Sequence, residues 1–291
     1  MFWLVKFIAS DMDGTLLNKE QKVSKENKDA IERARKEGVE VIIATGRSYQ
    51  EARYALDEAN IECPVICVNG AVVYTKDGAI AASNPMNPDT VKSVIRYLEG
   101  IGIYFEVYTS DGTYTKNYEK SMATLVDILL TANPDLDPIK VTEQARERVT
   151  VSQIKSIEDY EKLFSIRELE YYKFLIFSND FQKLGDAASG LKENTTLAVS
   201  SSGRENLEVT NRDAQKGIAL ERYVKDRGGS LSDTMAIGDN FNDVSMLERV
   251  GRSFAMGNAP SEIKNLCDFI TDTNDENGVA KAINKVLNEG L

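Results

Sequence analysis

Four short stretches of this chain are largely apolar: Leu4 to Ala9, Val39 to Ala44, Val65 to Val68 and Thr234 to Ile237. They lack the regular alternation of a half-exposed strand, which is what strands buried on both faces look like. Helical segments separate the first three. Ser24 can cap a helix with Ala30, Ile31 and Ala34 on one face and Gly38 just past its end; Tyr49 to Asn60 is a second helix. This βαβαβ order implies a parallel sheet with right-handed crossovers. The fold class expected is α/β, a Rossmann-like, doubly wound and mainly parallel sheet.

The pattern changes after Asn84. Asp89 to Glu99 reads as a helix, and Phe181 to Leu191 as another. Ile103 to Tyr108, Tyr172 to Phe177, Thr196 to Ser200 and Asn206 to Thr210 read as strands in which Glu106, Lys173 and Glu208 interrupt apolar neighbours. Such strands suit an antiparallel sheet with one covered face. From Lys216 the βα alternation resumes, ending in a helix from about Gly278 to Leu287. The expected organisation is therefore a discontinuous core, 1–83 and 212–291, with an α+β domain inserted at 84–211.

Composition narrows the chemistry. The net charge of −11 argues against a general nucleic-acid surface, which needs clustered Lys and Arg. An anionic substrate must then be drawn in by a local cation. No apolar run approaches the length that spans a bilayer, so no membrane role is expected. Three cysteines, Cys63, Cys67 and Cys267, cannot all pair within the chain, and no secretory signal is visible, so reduced thiols and a cytoplasmic location are expected. Histidine is absent from the sequence. That excludes Ser-His-Asp and Cys-His catalysis, phosphohistidine intermediates and His-ligated metals. Any metal site is then built from oxygens and favours a hard cation.

In a parallel sheet, ligands bind outside the carboxyl ends of the strands. Asp11, Thr45 and Asp239 each follow an apolar strand, so all three are placed at that edge. Around them stand Asp11-Met12-Asp13-Gly14-Thr15-Leu16-Leu17, Ala44-Thr45-Gly46-Arg47, Lys216-Gly217 and Gly238-Asp239-Asn240-Phe241-Asn242-Asp243. Two carboxylates two residues apart at a strand end suit aspartyl-phosphate chemistry, one attacking phosphorus and the other moving a proton. Taken singly, each motif is also compatible with an acidic turn, a strand-to-helix link, a solvated lysine or a polar helix cap.

In this order, the four motifs resemble the haloacid dehalogenase superfamily of phosphatases, and within it the Cof-type branch with a type IIB cap. They span Asp11 to Asp243. The resemblance implies that Asp11 is the nucleophile and Asp13 the general acid–base. Asp13 also separates phosphatases from the dehalogenases, which lack this acid, and from the P-type ATPases, which carry Thr there. Mg²⁺ is implied on Asp11 and Asp239 with the Asp13 backbone carbonyl, and Asp243 beside it or holding Lys216. Lys216 would neutralise nucleophile and phosphate. Met12, Thr45, Gly46 and Asn242 would contact the phosphoryl group, with a helix starting near Ser48 aimed at the same anion. Arg47 has two readings, one facing the leaving group and one in a surface ion pair with Glu51. Asn69-Gly70 either lies near the leaving group or is a plain turn.

The resemblance implies a hydrolase of small phosphorylated metabolites, such as sugar phosphates or phosphorylated cofactors. The insert would be the cap that reads the leaving group, with Glu106, Tyr108, Arg204 and Asn206 among its polar candidates. Two alternatives remain: phosphomutase-type transfer on a sugar phosphate, and a phosphometabolite sensor without turnover. Oligomeric state has no sequence signature here.

Overall fold

The computed structural model describes residues 5–132, 137–151, 153–201 and 204–289; Leu4, at the start of the first apolar run, lies outside them. The chain divides into two compact units. One runs to Ser83 and resumes at Ala214, and the other is Asn84–Asp213. Arg212 stays with the second unit because its N–H donates to the Thr196 carbonyl (2.8 Å), which sets the division two residues beyond the expected limit.

In the first unit, eight described strands form one sheet. Its order is Phe269–Ile270, Arg252–Ala255, Thr234–Gly238, Phe7–Ser10, Glu40–Ala44, Val65–Cys67, Val72–Tyr74 and Ile80–Ser83. The first six run parallel. The central strands are buried along nearly their whole length, as their apolar runs require: Ile8, Ala9, Ile42, Ile43, Ala236 and Ile237 have no exposure. Each buried Val, Leu or Ile side chain contributes about 1.5–3 kcal/mol of transfer free energy. Strand Phe7–Ser10 lies between the strand that follows it in sequence and Thr234–Gly238, which arrives after the second unit, so the strand order reverses there. That is the switch point at which α/β sheets bind ligands.

Two core strands go beyond the sequence reading. Val72–Tyr74 and Ile80–Ser83 continue the sheet as an antiparallel hairpin. Ile80–Ser83 is an exposed edge strand, so no pattern of burial is written into it.

The second unit contains a six-stranded sheet, in the order Leu197–Ser200, Asn206–Asn211, Tyr171–Phe177, Tyr104–Thr109, Gly112–Thr115 and Ile154–Ser156. It is antiparallel except where Gly112–Thr115 meets Ile154–Ser156. One face carries Phe105, Val107, Phe174, Ile176, Leu207 and Val209, which pack with Val91, Ile95 and Leu98 of helix Pro88–Gly100 and with Leu184 and Leu191 of helix Phe181–Lys192. Gly112–Thr115, Ile154–Ser156 and the helices Tyr118–Ala132 and Pro138–Val151 are additions to the elements expected from sequence. No helix among the described residues is long and apolar enough to cross a membrane.

Candidate active site

Asp11 leaves the carboxyl end of strand Phe7–Ser10 while its N–H still donates to the Ile237 carbonyl of the adjacent strand (2.9 Å). Asp11 and Asp239 therefore start from neighbouring strand ends. The turn after Asp11 is folded tightly, with Leu17 N–H donating to the Met12 carbonyl (2.9 Å). The Met12 side chain is fully buried, so this residue can meet a ligand only through its backbone. Gly14 has φ +78°, and a Cβ there would stand 2.5 Å from Asp239 Oδ2. Only glycine lets the turn close onto that carboxylate. The Thr15 hydroxyl then donates to Asp239 Oδ1 (2.8 Å), and Asn258 Nδ2 donates to the Gly14 carbonyl (2.8 Å).

Lys216 opens helix Lys216–Asp226 and is completely buried. Its Nζ lies 2.6 Å from Asp11 Oδ1 and 2.7 Å from Asp243 Oδ1. A cation at a helix N-terminus works against the macrodipole, so these two carboxylates hold it there. Asp243 is fastened from its other oxygen, which accepts the N–H groups of Asp239 (3.0 Å) and Asn240 (3.1 Å). One aspartate thus fixes both the Asp239 loop and the lysine.

Asp11, Asp239 and Asp243 offer carboxylate oxygens that all lie within 4.8 Å of one another. Burial, the Asp243 charge and Asp13 push the Asp11 carboxyl up to about 7, against the opposing pull of Lys216. Burial, then Asp11 and Asp243, raise Asp239 well above the usual carboxylate range. Burial disfavours the Lys216 ammonium, but the two aspartates outweigh it and hold its pKa above the ordinary lysine value. Three carboxylates facing one ammonium leave an excess of negative charge. The all-oxygen donor set, the close spacing and that excess fit a hard divalent cation.

Thr45, at the end of strand Glu40–Ala44, is fully buried, and its Oγ1 accepts the Arg47 N–H (3.1 Å). That bond leaves the hydroxyl proton as a donor. Ser48 caps helix Tyr49–Glu58 in a reciprocal capping box with Glu51. Arg47 is buried, and Glu51 is taken up by the Ser48 N–H and hydroxyl. The surface ion pair is therefore corrected. Arg47 instead donates through Nε to Asp13 Oδ2 (2.8 Å) and through NH2 to Asp13 Oδ1 (2.5 Å), with a further bond from NH2 to Gln21 Oε1 (2.5 Å).

Asn69 sits in a turn, Val68–Gly70, with φ +57°. Asn242 Nδ2 donates weakly to Asn69 Oδ1 (3.4 Å), and Gly46 approaches the same oxygen closely enough that a Cβ would stand 3.0 Å away. Gly46, Asn69 and Asn242 thus share one corner. Gly70, at φ +103°, presses on Gln215, whose carbonyl oxygen would lie 2.5 Å from a Cβ. The Asn69-Gly70 turn is therefore packed against the residue that precedes Lys216.

Gln21 and Asn258 were not legible as parts of this site, because each acts through a side-chain bond to a residue distant in sequence. Thr15 stands within the first motif, but its bond to Asp239 was not legible.

A parallel α/β sheet whose switch point gathers a buried Asp–Lys–Asp chain and a second acidic loop defines a class of phosphate-ester enzymes. A family model described as haloacid dehalogenase-like hydrolase matches residues 8–283. The chain is 34% identical over 285 residues to phosphatase YwpJ of Bacillus subtilis, covering 97% of this chain and 100% of that protein. It is 38% identical over 284 residues to the 5-amino-6-(5-phospho-D-ribitylamino)uracil phosphatase YwtE of the same organism, covering 97% and 98%. A solved haloacid dehalogenase-like hydrolase from B. subtilis superposes with a TM-score of 0.89 at 34% identity, covering 96% of this chain and 99% of that one. The chain belongs to the haloacid dehalogenase-like hydrolases. Its enzyme class is that of the phosphoric monoester hydrolases.

Proposed function

We propose that the protein hydrolyses a small phosphorylated metabolite through a covalent aspartyl-phosphate, an acyl phosphate on Asp11, with Mg²⁺ as cofactor. The observation that carries this reading is the Asp11–Lys216–Asp243 chain of short ion pairs at the sheet switch point. Asp11 and Asp239 would hold the cation, with the Asp13 carbonyl as a further ligand and Asp243 alongside. When bound, it supplies positive charge that lets an anionic ester approach a carboxylate nucleophile.

Lys216 holds one oxygen of Asp11 and so fixes the carboxylate for attack on phosphorus. A bond from Asp11 to phosphorus forms as the ester's P–O bond breaks. Protonated Asp13 gives its proton to the departing alkoxide. Asp13 then takes a proton from water, whose oxygen attacks the same phosphorus, and the Asp11–P bond breaks to release inorganic phosphate. The Thr45 hydroxyl, Gly46, Met12 and Asn242 would donate to the phosphoryl oxygens. The unit Asn84–Asp213 would read the leaving group.

Among the relatives, YwtE is named a phosphatase of a phosphorylated ribitylaminouracil and YbhA of Escherichia coli a pyridoxal phosphate phosphatase; sugar phosphates or phosphorylated cofactors are the class proposed here. A cytoplasmic location accords with free thiols at Cys63, Cys67 and Cys267. The test is phosphate release from a panel of phosphate monoesters with Mg²⁺ and with a chelator, wild type beside Asp11→Asn. Mg²⁺-dependent release that disappears in the variant is expected. Equal release by the variant would refute the covalent role of Asp11.

A further inference from the structure

The turn that follows Asp13 lies outside the helices and the strands of the sheet, and its carbonyls are taken up by asparagine side chains. The Gly14 carbonyl accepts Asn258 Nδ2 (2.8 Å), the Leu16 carbonyl Asn27 Nδ2 (3.2 Å) and the Leu17 carbonyl Asn274 Nδ2 (2.9 Å). Two of these amides are themselves oriented. Asn27 Oδ1 accepts the Ala280 N–H (2.9 Å), and Asn258 Oδ1 accepts the Asn274 N–H (3.1 Å). An amide whose oxygen is engaged presents its NH2 group in a fixed direction.

Asn258 and Asn274 follow the strands Arg252–Ala255 and Phe269–Ile270, at the same sheet edge as Asp11 and Asp239. Their loops are tied to that edge. The Met256 N–H donates to the Gly238 carbonyl (3.0 Å), and Asp275 Oδ1 accepts the Lys19 N–H (2.9 Å). Satisfying carbonyls does not by itself explain the arrangement. Asn27 is buried, where an unpartnered carbonyl is costly. Asn258 is exposed, and water would serve the Gly14 carbonyl about as well. What a held amide adds is direction, at the point where the turn has most freedom. Gly14 is the neighbour of Asp13 and sits at φ +78°, which glycine alone adopts readily. Arg47 holds Asp13 by its carboxylate, and Asn258 holds the backbone just beyond it.

The geometry points to Asn258 and Asn274 as positioning residues for Asp13. Linked to each other, they pin both ends of the turn Gly14–Leu17, so that the Asp13 carboxyl meets the departing oxygen as the P–O bond breaks. Asn27 is the buried anchor of the same turn. The assignment rests on the phosphatase reading above, in which protonated Asp13 gives its proton to the alkoxide.

Dependence on the leaving group separates this role from a merely structural one. The alkoxides of ribose 5-phosphate and pyridoxal 5′-phosphate are strong bases that need the proton, whereas p-nitrophenolate leaves without it. Asn258→Ala and Asn274→Ala should each lower kcat/KM for the alkyl esters by about tenfold, at least about threefold more than for p-nitrophenyl phosphate. Asn258→Asp, which keeps the acceptor for Asn274 and loses the donor to Gly14, should show the same skew. Asp13→Asn sets its upper limit. Asn284→Ala, which removes a bond to Arg33 elsewhere in the unit, should keep the wild-type ratio between esters. Equal losses on both kinds of ester, or none, in folded Asn258 and Asn274 variants overturn the inference. Hydrogen exchange reads the clamp without turnover. The Leu17 N–H, which bonds the Met12 carbonyl, should exchange faster in both Ala variants and at the wild-type rate in Asn284→Ala. If wild type cleaves no alkyl ester, faster exchange upholds the positioning of the turn while the phosphatase reading falls. Unchanged exchange overturns the inference whatever the activity.

Discussion

Asp13 and Arg47 meet through two parallel charge-assisted hydrogen bonds, Nε to Oδ2 at 2.8 Å and NH2 to Oδ1 at 2.5 Å. A forked donor matched to a carboxylate fixes direction as well as distance. The NH2 group also bonds Gln21, a residue held at φ +60° on the loop that follows the nucleophile turn. The proposed proton carrier is thus set by a buried guanidinium, itself braced from a strained turn.

Replacing Arg47 with Lys keeps the charge and removes the fork. General acid–base catalysis is worth about 10²- to 10⁴-fold, so a misdirected Asp13 should lower kcat by about ten- to a hundredfold. Gln21→Ala should act in the same direction and more weakly. Steady-state kinetics on one ester checks both; unchanged kcat in either folded variant would remove that residue from the positioning role.

Lys216→Met should destabilise the fold by about 3–5 kcal/mol near neutral pH, because it leaves Asp11 and Asp243 buried without their counter-charge. Urea melts measure it. The loss should shrink as pH falls and the carboxyls protonate. A variant as stable as wild type at pH 8 would show that the ion pairs contribute little.

The raised Asp11 carboxyl makes a signed prediction. Its ordinary value is 3.8 and its folded value about 7. The folded state therefore binds more protons than the unfolded state between those values, and stability of the metal-free protein falls as pH rises from about 4 to about 7. Added Mg²⁺ should raise Tm, and more at pH 8 than at pH 5.5, since protons compete for the same oxygens. Thermal melts with Mg²⁺ or chelator test this. An equal shift at both pH values would place the cation elsewhere.

Gly70→Ala should lower both stability and turnover. The residue sits at φ +103°, and a Cβ would meet the Gln215 carbonyl at 2.5 Å, one residue before Lys216. Backbone on both sides leaves little room to yield, so a cost above about 1 kcal/mol is expected. A chemical melt and kcat measured together check it; a neutral outcome would show that this contact does not position the lysine.

Much of this was legible in the chain, and the reasons differ by element. The parallel strands read clearly because burial on both faces leaves them no polar positions, as at Ile42-Ile43 and Ala236-Ile237. Asp11 and Asp239 could be brought together from sequence because each follows such a strand. Strand Ile80–Ser83 could not be read, since all four residues are exposed and nothing in their pattern records a partner. Helix Tyr118–Ala132 was equally silent: Met122 to Leu130 is apolar apart from Thr124 and Asp127, and so continuous a run does not separate helix from strand. Within the site, Arg47 was legible as a residue but its partner was not. Asp13 lies 34 residues away, and only the folded turn brings it within reach.

The central claim is that Asp11 takes the phosphoryl group. Acid-quenched Asp13→Asn protein, incubated with ester and Mg²⁺, should carry phosphate on the peptide containing Asp11, seen by mass spectrometry and removed by hydroxylamine. Unmodified Asp11 in protein that still releases phosphate from the ester would contradict the account.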